Sequence, residues 1–433
     1  MKTFIAEFKG SIKDKFKGLD RSNIILKLKS TGIYLLVPII NFAVSIFSTP
    51  LFAKHLSAEE FGYFGYYNSL ISFLTIFFHL SFHTYYMSTY HRVSDEKRKR
   101  ILITIVLFSL LWNVVFFPLA YFGVYFYIHY SSSVTPFFPY VFLALGGASL
   151  GIYKTYLQVD FRMQGQPLYY FLVVSGFRLL AIFASLYLVI IPELGLYGRM
   201  LGIFIVEILL FLVSMGYILR KHTITIERNL LKNAIQVILP LLPAALLYIP
   251  LLSFDNIVLE KLKDPAEMGL YNIGKSIAMY VYTALFPFFQ TFEPDIYKYA
   301  VDENIEALKK LGFYITTLTV VAVLGFWVLS PFIIDFLTAG KYNESVQYAN
   351  IIVVTAALMI VFSVFDAIII ALQKTRQYLY INAISAVICI SLYIVLGHFF
   401  DQKGVAYASV LAFLFLISLQ FLLVSKNFKK VRA

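Results

Sequence analysis

The chain has 433 residues, of which 60% are apolar and only 14% are charged, whereas a soluble domain averages about 25% charged residues. A water-soluble fold could not bury that much apolar surface, and disorder is excluded because the chain is rich in aromatics, with 43 Phe and 32 Tyr. The net charge of +12 is typical of a membrane protein whose basic residues hold loops on the cytoplasmic side, so no nucleic-acid partner is expected. The single cysteine excludes an intrachain disulfide framework and a cysteine-based zinc site.

The first element in chain order is a basic arm, residues 1–31. Its apolar residues recur every four positions with lysines between them, at Phe4, Phe8, Ile12 and Phe16. This spacing favours an amphipathic helix on anionic lipid, with a disordered arm as the alternative. No cleavage site follows the apolar residues 32–53, so we predict a retained first span rather than a signal peptide.

Twelve apolar stretches are long enough to span a bilayer, and they do not alternate in polarity as barrel strands would. They are 32–53, 61–83, 101–128, 137–159, 168–191, 194–219, 234–259, 268–292, 310–337, 346–371, 377–399 and 403–425. We therefore predict an all-α polytopic membrane protein of about 12 transmembrane helices. Most of the 36 Lys and Arg fall in alternate connecting segments, which places both termini in the cytoplasm. In this scheme Lys154 belongs to a cytoplasmic segment and Arg199 to an outer loop.

The two halves of the chain repeat each other. Residues 58–70 align with 265–277, and residues 163–169 align with 372–378, at nearly the same offset. Each half has an even number of spans, so both insert with the same orientation, as in transporters built from parallel repeats. The predicted parts are the arm 1–31, an N-terminal six-helix bundle 32–219, a cytoplasmic linker 220–233, a C-terminal six-helix bundle 234–425 and a basic cytoplasmic tail 426–433.

Four ionisable residues deep inside predicted spans are candidates for function, because each charge there costs at least about 2.5–3.5 kcal/mol. Lys275 shares a helical face with Tyr271 and Tyr282, where it would meet a phosphate as a point charge or snorkel to the headgroups. Arg178 would hold a phosphate bidentately, or else pair with an acidic residue, Glu207 or Asp366, to fix helix packing.

The acidic residues have two interpretations each. Glu207 and Asp366 would either bind a coupling proton or sodium ion or balance a cavity cation. Asp255, at the end of the seventh span, would either cap the following backbone or close an outer gate.

Two polar stripes follow helical spacing. The first is Tyr34, Pro38, Asn41, Ser45 and Ser48, and the second is Asn68, Ser72, Thr75, His79 and His83. We interpret both as the wall of a hydrated cavity for a sugar, with helix packing through small polar residues as the alternative. His79 and His83 have no third ligand nearby in sequence and no phosphate-binding Gly-x-x-x-x-Gly-Lys loop occurs, so neither a metal nor another cofactor is expected.

Three segments resemble a known family: STPLFAKHLSAEEFGYFGYYNSL at 48–70, ILPLLPAALLYI at 238–249 and SFDNIVLEKLKDPAEMGLYNIGKSIA at 253–278. They are similar to the polysaccharide transporter branch of the multidrug/oligosaccharidyl-lipid/polysaccharide (MOP) exporter superfamily, and to Wzx-type O-antigen flippases within it. The first copy of the repeat carries Asn68 where the second carries Lys275, so a basic pair across the halves is not preserved.

The resemblance implies a multi-pass protein of the bacterial inner membrane that moves an undecaprenyl-pyrophosphate-linked oligosaccharide by alternating access, for O-antigen, capsule or exopolysaccharide assembly. Its partners would be the lipid-linked oligosaccharide, membrane lipids, and a polysaccharide polymerase with its chain-length machinery. The residues expected in the substrate cavity are Lys275, Arg178, Tyr271, Tyr282, Asn41, Asn68 and His79.

Two other functions remain open from the sequence. A multidrug cation exporter of the same superfamily would need an acidic cavity, and the spans hold two acids and two bases. A membrane enzyme of polysaccharide assembly would need catalytic residues in a large outer loop, and the outer loops are short. We therefore expect a transporter and not an enzyme.

Overall fold

The structure is a computed structural model that describes residues 21–131, 133–221, 225–239 and 241–432. These residues form helices joined by short turns, and the predicted amphipathic helix at residues 4–17 lies outside them. The helices are α1 Arg21–His55, α2 Ala58–His79, α3 Phe82–Thr89, α4 Asp95–Tyr130, α5 Tyr140–Met163, α6 Pro167–Ile190, α7 Gly195–Lys221, α8 Arg228–Ile238, α9 Leu241–Ser253, α10 Asp255–Lys261, α11 Pro265–Val301, α12 Ile305–Thr338, α13 Val346–Ala371 and α14 Thr375–Arg432.

Seven helical segments of the described chain are long and apolar enough to cross a membrane. The longest, Arg376–Phe428, contains two predicted spans, because the backbone of α14 leaves helical geometry at Phe400 and Asp401. All twelve predicted stretches fall on helical segments. The predicted all-α polytopic fold is therefore confirmed.

Two predicted spans are broken rather than continuous. The span at 61–83 is divided between α2 and α3 by Leu80 and Ser81, whose φ angles are 47° and 54°. The span at 234–259 is divided among α8, α9 and α10.

Helix α8 differs from a membrane span because it is amphipathic. Its buried residues, Leu230, Ala234 and Ile238, recur every four positions, while Arg228 and Lys232 are exposed. The buried face packs against α3 and α4, so this helix is attached to the N-terminal half of the chain.

The internal repeat is visible at the start of α2 and α11. Ser57 Oγ accepts a hydrogen bond from the Glu60 amide at 3.2 Å, and the Glu60 carboxylate accepts one from the Ser57 amide at 2.8 Å, which completes a capping box. At the equivalent position Asp264 Oδ1 accepts a hydrogen bond from the Glu267 amide at 3.0 Å. The two helices therefore share the hydrogen bond from the third-residue amide to the N-cap side chain, while among the described residues the reciprocal bond of the capping box forms only at α2.

Helices α2 and α11 also cross each other through glycines. A Cβ at Gly62 would overlap the carbonyl oxygen of Pro265, and a Cβ at Gly269 would overlap the carbonyl oxygen of Ala58. These four residues form two repeat-equivalent pairs, so the contact is reciprocal and lies on the pseudo-two-fold axis between the halves.

We call the end of the bundle that carries residues 55–58, 262–265 and 339–345 the closed end, because the two halves contact each other there. Besides the glycine crossing, the Lys341 ammonium and the Tyr342 hydroxyl both donate hydrogen bonds to the Leu56 carbonyl, at 2.6 and 2.5 Å. The bond from Lys341 and the ring contact of Tyr342 with Phe61 fasten the connection after α12 to the N-terminal half.

The apolar cores show the same asymmetry between the two ends. One core joins residues of both halves, including Tyr66, Tyr67, Met268, Tyr271 and Ile352. Toward the end where α1 begins and α14 ends, each half has a core of its own: Phe82, Ile101, Ile152 and Ile218 in the N-terminal half, and Phe289, Ile296, Ile315 and Ile368 in the C-terminal half. The described halves thus share one apolar core toward the closed end and have separate cores toward the other end.

Candidate functional site

A cavity of about 880 Å³ lies between α1, α2, α5, α6 and α7 of the N-terminal half and α11 of the C-terminal half. The N-terminal half supplies all of the charged residues in its described lining. Helix α11 contributes Ile273, Ser276, Met279, Tyr280 and Thr283. The position between the halves makes this cavity the candidate substrate site.

Four of the five residues of the polar stripe on α1 form one wall of the cavity, and Tyr34 lies outside its described lining. Pro38, Asn41, Ser45 and Ser48 all line the cavity. The Oδ1 atom of Asn41 is buried and has no hydrogen-bond partner among the described residues. This amide therefore offers a free acceptor at the cavity wall.

Arg178 enters the cavity from α6, just after a π-helical turn at Leu172–Gly176. Its Nη2 donates a hydrogen bond to Ser45 Oγ at 2.7 Å. None of the described carboxylates forms a salt bridge with it, so the alternative of a packing ion pair with Glu207 or Asp366 is not realised. The guanidinium retains donors for an anionic ligand.

Arg199 was assigned to an outer loop by the sequence and is instead inside α7, where it lines the cavity. Its guanidinium carbon lies 3.7 Å from the ring centroid of Phe64 and 4.6 Å from that of Phe52. Cation–π contacts hold the group without neutralising it. Its Nη1 is buried and has no hydrogen-bond partner among the described residues.

Lys154, assigned by the sequence to a cytoplasmic segment, also lines the cavity, from α5. Its Nζ lies 2.6 Å from Glu207 Oε1 on α7, and the side chains are 30% and 15% exposed. The second carboxylate oxygen of Glu207 is buried without a hydrogen-bond partner in the described structure. Glu207 therefore balances a cavity cation, although that cation is Lys154 and not Arg178.

Lys275 is not part of the described cavity lining, contrary to expectation. Its Nζ lies 2.5 Å from Asp255 Oδ2, which also accepts a hydrogen bond from the Tyr271 hydroxyl at 2.9 Å. Asp255 is 1% exposed, and a buried carboxylate needs a partner of opposite charge. Because Asp255 lies 20 positions away in the sequence, the helical face of Lys275 gave no sign of this pair.

The remaining predicted residues also lie outside the described cavity lining. His79 Nε2 is 3.2 Å from the Ala148 carbonyl oxygen and joins α2 to α5, while Asn68 is exposed. Tyr282 packs against Phe286, with ring centroids 5.1 Å apart. Asp366 lies in the C-terminal half, with one buried carboxylate oxygen that lacks a hydrogen-bond partner among the described residues.

Tyr280 was missed by the sequence reasoning and is the main polar group that the C-terminal half presents to the cavity. Its hydroxyl is 2.7 Å from Thr49 Oγ1 and donates to the Ser45 carbonyl at 3.2 Å. A signal was present, since Ser276, Tyr280 and Thr283 recur with the same spacing of four and three as the stripe on α1.

Comparison with known proteins agrees with this architecture. The profile of a family described as "Polysaccharide biosynthesis protein" matches residues 27–300. A search of curated proteins found no match. Among solved structures, the chain is similar to the lipid II flippase MurJ in an inward closed conformation, with a TM-score of 0.69 and 16% identity over 93% of this chain and 90% of that one.

Two transporter structures are also similar. One is an inward-facing multidrug resistance MATE family transporter of the MOP superfamily, with a TM-score of 0.65 and 12% identity over 92% of this chain and 98% of that one. The other is a mutant of the Vibrio cholerae MATE transporter VcmN, with a TM-score of 0.60 and 11% identity over 94% and 97%. At these identities the likeness shows a shared fold.

Proposed function

Because the chain belongs to the polysaccharide biosynthesis protein family and has the MOP transporter fold, we propose that it is a flippase for a lipid-linked oligosaccharide. It would carry an undecaprenyl-pyrophosphate-linked repeat unit across the bacterial inner membrane for O-antigen, capsule or exopolysaccharide assembly. The family match confirms the resemblance found in the sequence, and the substrate is the part that we propose.

The charge of the cavity is the observation that carries this proposal. Its described lining holds Lys154, Arg178 and Arg199 against one carboxylate, Glu207. The resulting excess of positive charge suits a pyrophosphate diester, which is a dianion, and guanidinium forks bind phosphate oxygens bidentately. The hydroxyls and amides of the α1 stripe suit a sugar.

The separation of the halves supports alternating access. If the termini are cytoplasmic, as the distribution of Lys and Arg predicts, the closed end faces outward and the end at which each half has its own core faces the cytoplasm. The bodies that move would be the predicted bundles 32–219 and 234–425, except that helix α8 at 228–238 would move with the first bundle because it packs on α3 and α4. Coupling to a proton or sodium ion, if used, has Asp366 as its candidate, because its carboxylate has a free buried oxygen.

A multidrug exporter is the second candidate, because the MATE transporters have a similar fold. Such a protein binds organic cations, and the excess of positive charge in this cavity opposes them. A membrane enzyme is not favoured, since the solved structures that we compared are a flippase and transporters.

A binding measurement on the purified protein in detergent tests the proposal. We expect farnesyl pyrophosphate to bind, the cation ethidium not to bind, and Arg178→Ala together with Arg199→Ala to abolish the pyrophosphate binding. Arg92→Ala, at an exposed site outside the described cavity lining, is the matched control and should bind as the unmodified protein does. Binding of ethidium but not of farnesyl pyrophosphate would instead favour the exporter.

A further inference from the structure

We propose that Glu207 is an internal counter-anion which the phosphate of the substrate displaces from Lys154, so that Lys154 becomes a phosphate ligand only in the loaded protein. This inference rests on the proposed function, since it concerns the same cavity. It gives a role in binding to both residues. The sequence had suggested ion coupling, charge balance or helix packing for Glu207 and a place in a cytoplasmic segment for Lys154.

The placement of the pair excludes a role in holding the two halves together. Lys154 is on α5 and Glu207 is on α7, and both helices belong to the N-terminal half and pack against each other. Breaking the pair therefore does not require the halves to move. The pair lines the cavity that also holds Arg178 and Arg199, so an anion that binds there lies close to it.

The carboxylate of Glu207 is incompletely satisfied. One oxygen accepts the bond from Lys154 at 2.6 Å, and the other is buried with no hydrogen-bond partner in the described part of the chain. A buried acceptor without a partner carries its full cost of desolvation. An ion pair in this state is easier to exchange for a phosphate, whose several oxygens can bind Lys154 and the arginines together.

The exchange gives the cavity a charge requirement. A neutral or cationic molecule cannot replace Glu207 on the Lys154 ammonium, whereas a phosphate can. The pair thus lowers the affinity of the cavity for weakly charged molecules. An anion binds Lys154 only if its contacts there are stronger than those of Glu207. Arg178 and Arg199, which have no described carboxylate partner, would make the first contact.

A double-mutant cycle with farnesyl pyrophosphate as the probe tests the displacement. Glu207→Gln keeps the size of the side chain and frees Lys154, so we expect the probe to bind at least about tenfold more tightly, the equivalent of one charge-assisted hydrogen bond. Lys154→Met should weaken binding by a similar factor. The double variant should bind like Lys154→Met alone, because the effect of Glu207 acts through Lys154.

Lys154→Arg provides a second test that leaves no charge unpaired. An arginine keeps the positive charge and can exchange Glu207 for phosphate as the lysine does, so we expect the probe to bind within about threefold of the unmodified affinity, unlike Lys154→Met. Thermal unfolding of each variant shows whether it is folded.

The outcomes separate this inference from the proposed function. Unchanged affinity in Glu207→Gln or in Lys154→Met, while Arg178→Ala together with Arg199→Ala still abolishes binding, would overturn the displacement and leave the flippase proposal intact. If Glu207→Gln tightened binding equally with and without Lys154, Glu207 would act only by distant repulsion, and the displacement would again be wrong. No binding of farnesyl pyrophosphate by the unmodified protein would overturn both.

Discussion

The four basic side chains Lys154, Arg178, Arg199 and Lys275 differ mainly in the groups that they contact. Lys275 and Lys154 each lie within 2.6 Å of a carboxylate oxygen. Arg178 bonds to a serine hydroxyl, and Arg199 stacks on phenylalanine rings. A charge that is held in place without being neutralised remains able to bind an anion, which is why we assign binding to the arginines.

The pair of Lys275 and Asp255 should contribute to stability and not to binding. Lys275→Met leaves the buried Asp255 carboxylate with the Tyr271 hydroxyl as its main remaining side-chain donor, and an unpaired buried charge costs on the order of 3 kcal/mol. We expect a lower midpoint of thermal unfolding in detergent. Lys275→Met combined with Asp255→Asn should recover most of the loss, while farnesyl pyrophosphate binds normally to both variants.

If Lys275→Met instead unfolded at the normal temperature and lost the probe, Lys275 would belong to the binding site.

The sequence identified some of these residues and not others, for physical reasons. Arg178 and Asn41 were found because each interrupts a long apolar run at a depth where polarity needs an explanation. Lys154 and Arg199 lie within a few turns of helix ends, where a basic residue looks the same whether it sets topology or lines a cavity. The partners of Lys275 and Lys154 are distant in sequence, so no helical periodicity could reveal them.

At the scale of helices, the lengths of the apolar stretches predicted where the helices lie but not where they are interrupted. The break between α2 and α3 occurs at Leu80 and Ser81, which both have positive φ. Neither residue is a glycine or a proline, so the sequence carried no helix-breaking signal there. Helix α8 could not be separated from the seventh span, because its apolar residues merge with those of α9. The repeat, in contrast, was visible in sequence because residues 58–70 and 163–169 align with 265–277 and 372–378 at nearly the same offset.

The glycine crossing should control which end of the protein is open. Gly269→Ala places a methyl group against the Ala58 carbonyl, so it disfavours the closed end and shifts the population toward the opposite state. In a Cys389→Ala background, a cysteine introduced for Asn41 in the cavity should react less with an impermeant thiol reagent added from the cytoplasmic side. It should react more when the reagent is added from outside.

Gly325→Ala is the matched control, because a Cβ there meets no atom within 4 Å; it should leave both rates unchanged. Equal rates in Gly269→Ala and the control would mean that the crossing is not a gate.

At the scale of the whole molecule, the two halves have unequal roles. The N-terminal half carries every charge of the described cavity lining, and the C-terminal half contributes hydroxyls and apolar groups through α11. A substrate held by its phosphates would therefore stay with the N-terminal half while the C-terminal half moves past it. The linking helix α8, packed on α3 and α4, would move with the N-terminal half.

The most direct test of the flippase proposal is transport in liposomes. The protein is reconstituted with a pyrophosphate-linked lipid whose glycan carries a fluorophore, and an impermeant reagent bleaches the probe in the outer leaflet. We predict that the unmodified protein exposes the probe of both leaflets to bleaching, while protein with Arg178→Ala and Arg199→Ala exposes only the outer leaflet, as in protein-free vesicles. An unmodified protein that left the inner leaflet protected, or a double variant that flipped the lipid at the normal rate, would contradict the proposal.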